Sequence, residues 1–232
     1  MKTVFVCVLI ALFLSCEDRK KAPETTGETT EATKDTVNKT PKKEKETTSK
    51  TYPYITNDNV TDFLTAYGKD NPETKVTLKT DKGVIEVELY NDTPLHRANF
   101  IYLVKNGYLS TTVFHRVVPG FMIQGGNSDN WDTSKMRNKI GKYTIPAEIK
   151  YKNVRGALAA AKEYRKNPDD RSSSFEFYIV QGHNGAHHLD PNYTVFGKVT
   201  KGMEVVDSIA QLKTDDGDWP LHNIYIKATV EE

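Results

Sequence analysis

The stretch Phe114-His115-Arg116-Val117-Val118-Pro119-Gly120-Phe121-Met122-Ile123-Gln124-Gly125-Gly126 decides how this chain is read. It sets one arginine among apolar residues and ends in a Gly pair. A guanidinium held beside a hydrophobic pocket is a tool for chemistry, because charge-assisted hydrogen bonds strengthen where water is excluded. On either side of Pro119-Gly120 the run reads as two short strands, at about 111–118 and 121–125.

Outward from this run the pattern stays short-stranded. From Lys75, Val76 and Leu78 and then Ile85, Val87 and Leu89 alternate with polar residues, and Asp81-Lys82-Gly83 falls between as a turn, which predicts a hairpin with one buried face. Thr93 caps a helix opened by Pro94 and closed by Asn106-Gly107. Further strands are predicted at about 155–160, 176–180 and 193–200, a second helix over Met203–Leu212, and a last strand from Ile224 to Val230. Asn59–Leu64 begins a short extra helix, capped by Asn57 or Asp58 and closed near Gly68, that packs Phe63 and Leu64 onto the domain. Many short strands with two main helices fit a barrel or a sandwich, since closure removes unpaired edges.

The Phe-His-Arg, Pro-Gly-Phe-Met and Gln-Gly-Gly elements, in this order and spacing, resemble the signature of the cyclophilin-type peptidyl-prolyl cis-trans isomerases. The resemblance extends from about Lys75 to Ala228. It implies a mainly β fold, a closed eight-stranded antiparallel β-barrel capped by two α-helices. It also implies catalysis of rotation about Xaa-Pro bonds, with no cofactor and with proline-containing polypeptides as partners.

By the same resemblance Arg116 is the catalytic donor to the prolyl amide, and Phe121, Met122, Tyr178 and Leu189 wall the proline pocket. Gln124 bonds the substrate backbone, and Ala161 and Lys162 form the edge where the peptide lies. Lys162 stands where Asn is usual, so only its backbone role carries over. Phe175-Glu176-Phe177-Tyr178 departs from the usual Ser-Gln-Phe-Phe or Ser-Gln-Phe-Tyr. Glu176 therefore puts a carboxylate at a substrate-binding position, where it selects basic or polar residues before the proline or pairs with Arg116. His188 takes the place of a tryptophan linked with cyclosporin binding, which implies weak inhibition by that drug. Tyr193 replaces a histidine and still offers a hydroxyl. A rival reading is a cyclophilin-fold holdase or scaffold that grips proline-containing segments without turnover; Glu176 favours it, whereas intact Arg116, Phe121, Met122 and Gln124 favour the enzyme.

The rest of the chain carries different signals. At 232 residues with only 37% hydrophobic residues, part of the sequence is too polar to bury a core. Residues 1–15 have Lys2, an apolar run from Val4 to Leu14, and Ser15 before Cys16, the layout of an export signal. That run falls short of the roughly 20 apolar residues needed to span a bilayer. Leu12-Phe13-Leu14-Ser15-Cys16 resembles a bacterial lipoprotein box, departing from it at Phe13, and makes Cys16 the lipidation site. Residues 16–56, rich in Lys, Glu and Thr, read as a disordered tether, and residues 57–232 as the isomerase domain with its short helical extension.

A formal charge of +1 excludes a broad basic footprint for nucleic acid. In the cluster His183, His187, His188 the intervening Asn184-Gly185-Ala186 argues against a helix, and no Cys or third carboxylate sits at a ligand spacing, so no metal is expected. Ser172-Ser173-Ser174 lacks a nucleophile frame. The expectation is a monomeric isomerase, lipid-anchored in a bacterial envelope.

Overall fold

The computed structural model describes residues 53–231. The chain runs through β1 (Ile55–Thr56), α1 (Val60–Asp70), β2 (Lys75–Thr80), β3 (Gly83–Leu89), α2 (Pro94–Lys105), β4 (Val113–Val118), β5 (Met122–Asn127), α3 (Trp131–Ile140), β6 (Gly141–Lys142) and β7 (Thr144–Ile145). It continues through β8 (Ala157–Ala160), β9 (Ser172–Ser173), β10 (Phe177–Val180), β11 (Val195–Lys201), α4 (Met203–Ala210), β12 (Ile224–Tyr225) and β13 (Lys227–Val230). Cys16, residues 1–15 and most of the 16–56 segment expected to be a tether lie outside the described residues.

One sheet of nine strands, in the order β12-β4-β5-β10-β8-β11-β3-β2-β13, forms the barrel. The count exceeds the expected eight because the last predicted strand breaks at Ile226. Ile224 pairs with Phe114 on β4, whereas Ala228 pairs with Leu78 on β2. A single stretch of chain thus occupies both edges of the sheet, leaving neither as a long unpaired template.

Side chains on successive strand residues point to opposite faces, and in a barrel these become interior and exterior. On β10, Phe177 and Ile179 enter the interior core with Phe114, Val117, Ile123 and Leu158. Tyr178 and Val180 instead join an exterior cluster with Met122, Ala157, Ala159 and Val195. Both faces of this part of the sheet are therefore covered. The exterior cluster is the foundation of the site.

Among the described residues there are four α-helices rather than two main helices and an extension. On α2 every residue from His96 to Val104 is buried, because the barrel lies on one side and α1 on the other. Phe63 and Tyr67 of α1 meet Tyr102 edge-on at 5.2 and 5.1 Å. Asn59, rather than Asn57 or Asp58, stands at the start of α1, its Oδ1 accepting from the Thr56 amide at 2.9 Å. Asn57 instead accepts from the Thr144 amide at 2.8 Å. The C-terminal carbonyls of α1 are met by the buried Arg97, whose Nη2 donates to Gly68 O at 3.2 Å and Nη1 to Asn71 O at 3.0 Å, a favourable place for a cation.

Thr93 precedes α2 as expected but does not cap it with its hydroxyl, which donates to Tyr90 O. The carboxylate of Glu148 takes over, accepting from the amides of Leu95 at 3.2 Å and His96 at 3.0 Å. Ile55–Thr56, assigned from composition to the tail, is a strand paired in parallel with Gly141–Lys142, and Ile55 is fully buried. The segment 127–143, which carries no periodic apolar signal, contains α3, capped by Asn130 Oδ1 on the Asp132 amide at 2.9 Å.

Candidate active site

The site begins with a break in strand pairing. Phe114 is opposite Gly125 and Arg116 opposite Gln124, so His115 is an extra residue in β4. One added residue reverses which face the following side chains occupy. Phe114 and Val117 therefore both point into the barrel, and Arg116 between them lines an exterior cavity. Register carries the row onward: Gln124 pairs with Tyr178, and Tyr178 with Ala159. Strand pairing alone thus lines up Arg116, Gln124 and Tyr178.

The cavity measures about 340 Å³ and gathers Arg116, Phe121, Met122, Gln124, Ala161, Lys162, Glu176, Tyr178, Leu189 and Tyr193. These come from five strands and loops far apart in sequence. The turn after β4 is held by the Phe121 amide on Val118 O at 3.0 Å and by Gln181 Oε1 on the Gly120 amide at 2.8 Å. A short 3₁₀ turn over His187–Leu189 brings in Leu189, whose carbonyl accepts from the Tyr193 amide at 3.1 Å. His188 does not line the cavity; it is exposed, with its ring 5.3 Å from that of Phe121. His187 is engaged by Asp190 at 2.9 Å.

Tyr178 presents its ring rather than its hydroxyl. That hydroxyl is buried and donates to Asn153 Oδ1 at 2.6 Å, and burial pushes its ionisation well above the ordinary phenol range. Tyr193 crosses it nearly edge-on at 6.1 Å. Lys162 folds its ammonium over the Tyr193 ring, 4.8 Å from the centroid, and pairs with Asp170. Its side chain therefore pins the 163–171 loop beside the cavity.

Arg116 is less enclosed than its apolar neighbours suggest, with 43% of its side chain exposed. Its Nε donates to Asp218 Oδ2 at 3.2 Å, and its terminal nitrogens make no hydrogen bond among the described residues. Asp218 sits in a turn at φ 64°, a conformation Asp tolerates, and its carbonyl accepts from the Val117 amide at 2.9 Å. The turn is thereby docked against β4.

Glu176 does not pair with Arg116. Its Oε1 meets Arg137 Nη2 at 3.3 Å, and its Oε2 accepts from Gln124 Nε2 at 3.0 Å with His115 Nε2 at 3.6 Å. Burial alone would raise this carboxyl, but His115 and Arg137 outweigh it and hold the group below its ordinary range. Arg137 and Asp218 escaped the sequence reading because each belongs to a polar segment without a motif; so did Glu163 and Ser173, which also line the cavity.

Residues 75–231 match the family model described as cyclophilin type peptidyl-prolyl cis-trans isomerase/CLD. The chain belongs to this family. A peptidyl-prolyl cis-trans isomerase of Acinetobacter baylyi is 44% identical over 146 residues, which cover 61% of this chain and 74% of that protein. Peptidyl-prolyl cis-trans isomerase A of Dickeya dadantii is 36% identical over 163 residues, covering 68% and 81%. The crystal structure of a Cryptosporidium parvum cyclophilin type peptidyl-prolyl cis-trans isomerase, determined in the presence of the dipeptide Ala-Pro, superposes with a TM-score of 0.57 at 27% identity, over 68% of this chain and 99% of that one. The cyclophilin fold expected from the sequence is the fold found, and the activity of the chain is peptidyl-prolyl cis-trans isomerisation.

Proposed function

We propose that the isomerisation takes place in the cavity beside Arg116, with Arg116 as the group that acts on the prolyl amide. The observation that carries this reading is the convergence, in one cavity, of an aromatic and thioether wall with an arginine whose terminal nitrogens make no hydrogen bond among the described residues. Rotation about the bond before proline is opposed by about 18–20 kcal/mol of amide resonance and takes tens of seconds unaided. Bringing it to milliseconds is a factor of about ten thousand, or about 5 kcal/mol of preferential transition-state binding.

In this reading the proline ring sits against Phe121, Met122 and Leu189, Gln124 and the Ala161–Lys162 edge hold the flanking backbone, and the twisting bond is left beside Arg116. A twisted amide has lost its resonance, so its nitrogen becomes basic and accepts a hydrogen bond that the planar amide refuses. A donor aimed there favours the transition state over both planar isomers. Asp218 fixes the Nε side of the guanidinium and leaves the terminal N–H groups for this task. No bond is made or broken. The test is exchange spectroscopy on Xaa-Pro peptides: Arg116→Ala is expected to remove at least about 100-fold of the acceleration, and an undiminished rate overturns the assignment.

The cellular setting follows from the N-terminal sequence. The export signal and the Cys16 box support a monomeric protein lipidated at Cys16, held at a bacterial envelope membrane, and acting there on folding proteins with exposed proline segments. Two acyl chains on one residue would hold it firmly. Palmitate labelling that disappears in Cys16→Ser is the expected result; label that persists refutes the anchor.

A further inference from the structure

Helix α3 contributes little to the core, burying only Thr133 and Ile140. Thr133 is tied to Thr111 and Ser128, and the charged residue of the helix that reaches toward the cavity is Arg137. The guanidinium donates from Nε to Tyr108 Oη at 2.7 Å and from Nη2 to Gly126 O at 2.9 Å and Glu176 Oε1 at 3.3 Å. It also lies over the rings of Phe175 and Tyr108, 5.2 and 5.9 Å from their centroids. Three of its five N–H donors and its planar faces are thus in use, which fixes its position closely.

The chain of contacts continues into the cavity. The other oxygen of Glu176 accepts from Gln124, and a carboxylate only accepts, so the nitrogen end of the Gln124 amide is the end turned toward it. The carbonyl end is therefore the one left for a ligand, as an acceptor for a peptide N–H. Were Arg137 absent, Oε1 of Glu176 would lose its partner and the carboxylate would be held only through Oε2, by Gln124 and by His115 at 3.6 Å, leaving a poorly compensated negative charge beside the backbone carbonyls of a bound peptide.

We propose that Arg137 is a positioning residue for the isomerase reaction, acting through Glu176 to hold the Gln124 carbonyl toward the bound peptide. The inference rests on the reading of this cavity as the active site. It also assigns α3 a purpose: it supplies the cation that makes a glutamate tolerable at position 176.

The experiment is a double-mutant cycle on the full chain, with kcat and KM for one Xaa-Pro peptide measured for the wild type, Arg137→Gln, Glu176→Gln and the double variant. Contacting residues are energetically coupled, so Arg137→Gln is expected to lower kcat/KM about tenfold, chiefly through KM. In the Glu176→Gln background, where no charge needs a partner, the same change is expected to cost less than about twofold. Equal losses in the two backgrounds would show that Arg137 only braces α3 and overturn the proposal, as would no loss in either. Should Arg137→Gln fail to fold, Arg137→Lys in both backgrounds makes the same comparison, since it keeps the charge but not the two-sided fork. An Arg116→Ala variant with an undiminished rate would overturn the reading of the cavity as well, whereas a diminished Arg116→Ala rate together with equal Arg137 losses would overturn this proposal alone.

Discussion

Replacing Glu148 by alanine tests the way α2 is held against the barrel. Three donors converge on this carboxylate: the amides of Leu95 and His96, and His96 Nδ1 at 2.7 Å. The ring is 2% exposed as a residue, and its Nε2 is 2.9 Å from Ser172 Oγ. A carboxylate cannot donate, so Nδ1 carries the proton and has no other acceptor once Glu148 is gone. Losing a helix N-terminal acceptor costs about 1 kcal/mol, and stranding a buried donor about 2 kcal/mol. The sum is about 3 kcal/mol, which for a domain of this size lowers Tm by about 6–12 °C. Urea unfolding of the wild type and Glu148→Ala, followed by circular dichroism, should show a lower midpoint at unchanged slope. Glu148→Gln, which keeps one acceptor, should lose about half as much. A loss below about 1 kcal/mol in Glu148→Ala would refute the reasoning, because it would mean that water replaces the carboxylate at all three donors.

Three further outcomes are expected. Burial pushes the phenol of Tyr108 up to about 12, and those of Tyr143 and Tyr178 are also raised chiefly by burial; an unfolded tyrosine titrates near 10, so above that pH the unfolded chain sheds protons first. Their contribution is complete below about pH 10 and is lost as pH rises through the folded values, by up to about 1.4 kcal/mol per pH unit for each tyrosine, and a stability that stays flat from pH 9 to 11 in urea titrations would contradict it. Asp218→Gly, which removes the carboxylate and accepts the φ of 64° at that position, should reduce kcat/KM several-fold by loosening Arg116, while stability changes by less than about 0.5 kcal/mol because the pair is half exposed; an unchanged kcat/KM would show that Arg116 needs no such support. Cyclosporin should inhibit weakly, since a histidine, His188, stands in place of a tryptophan and does not line the cavity, and tight inhibition in a titration would contradict this.

The barrel and most of the cavity were legible in the sequence because both depend on local runs. Alternation marked Val76–Leu78 and Ile85–Leu89, and Pro94 with Asn106-Gly107 bounded α2. The motif from Phe114 to Gly126 carried Arg116, Phe121, Met122 and Gln124 together. Its closing Gly126 has a structural reason: at φ +95° an added Cβ would stand 2.1 Å from Phe175 O. What stayed hidden depends on tertiary contact. Helix α3 reads Trp-Asp-Thr-Ser-Lys-Met-Arg-Asn-Lys-Ile, with too few apolar residues for a periodic face. β1 and β6 are two residues each, too short to show alternation. The partner of Glu176 is 39 residues away on that unrecognised helix, so a local reading offered Arg116 instead. The bulge at His115 is likewise a property of pairing, not of composition, although it is what turns Arg116 outward.

The double role of Ile224–Val230 bears on how this protein reaches its native state. Pairing of Phe114 with Ile224 and of Leu78 with Ala228 makes this stretch the last piece of the ring. Nothing earlier in the sequence can complete the barrel, so the domain waits on its most distant contacts, and such long-range pairing is slow even where it is stable. Until the stretch arrives, β2 and β4 each present an open row of amides and carbonyls to any neighbouring chain. A nick or truncation within these few residues would unlatch both edges together and favour chain-to-chain strand pairing over mild loosening. A catalyst of slow conformational steps in other polypeptides is thus itself governed by a late, all-or-none closure.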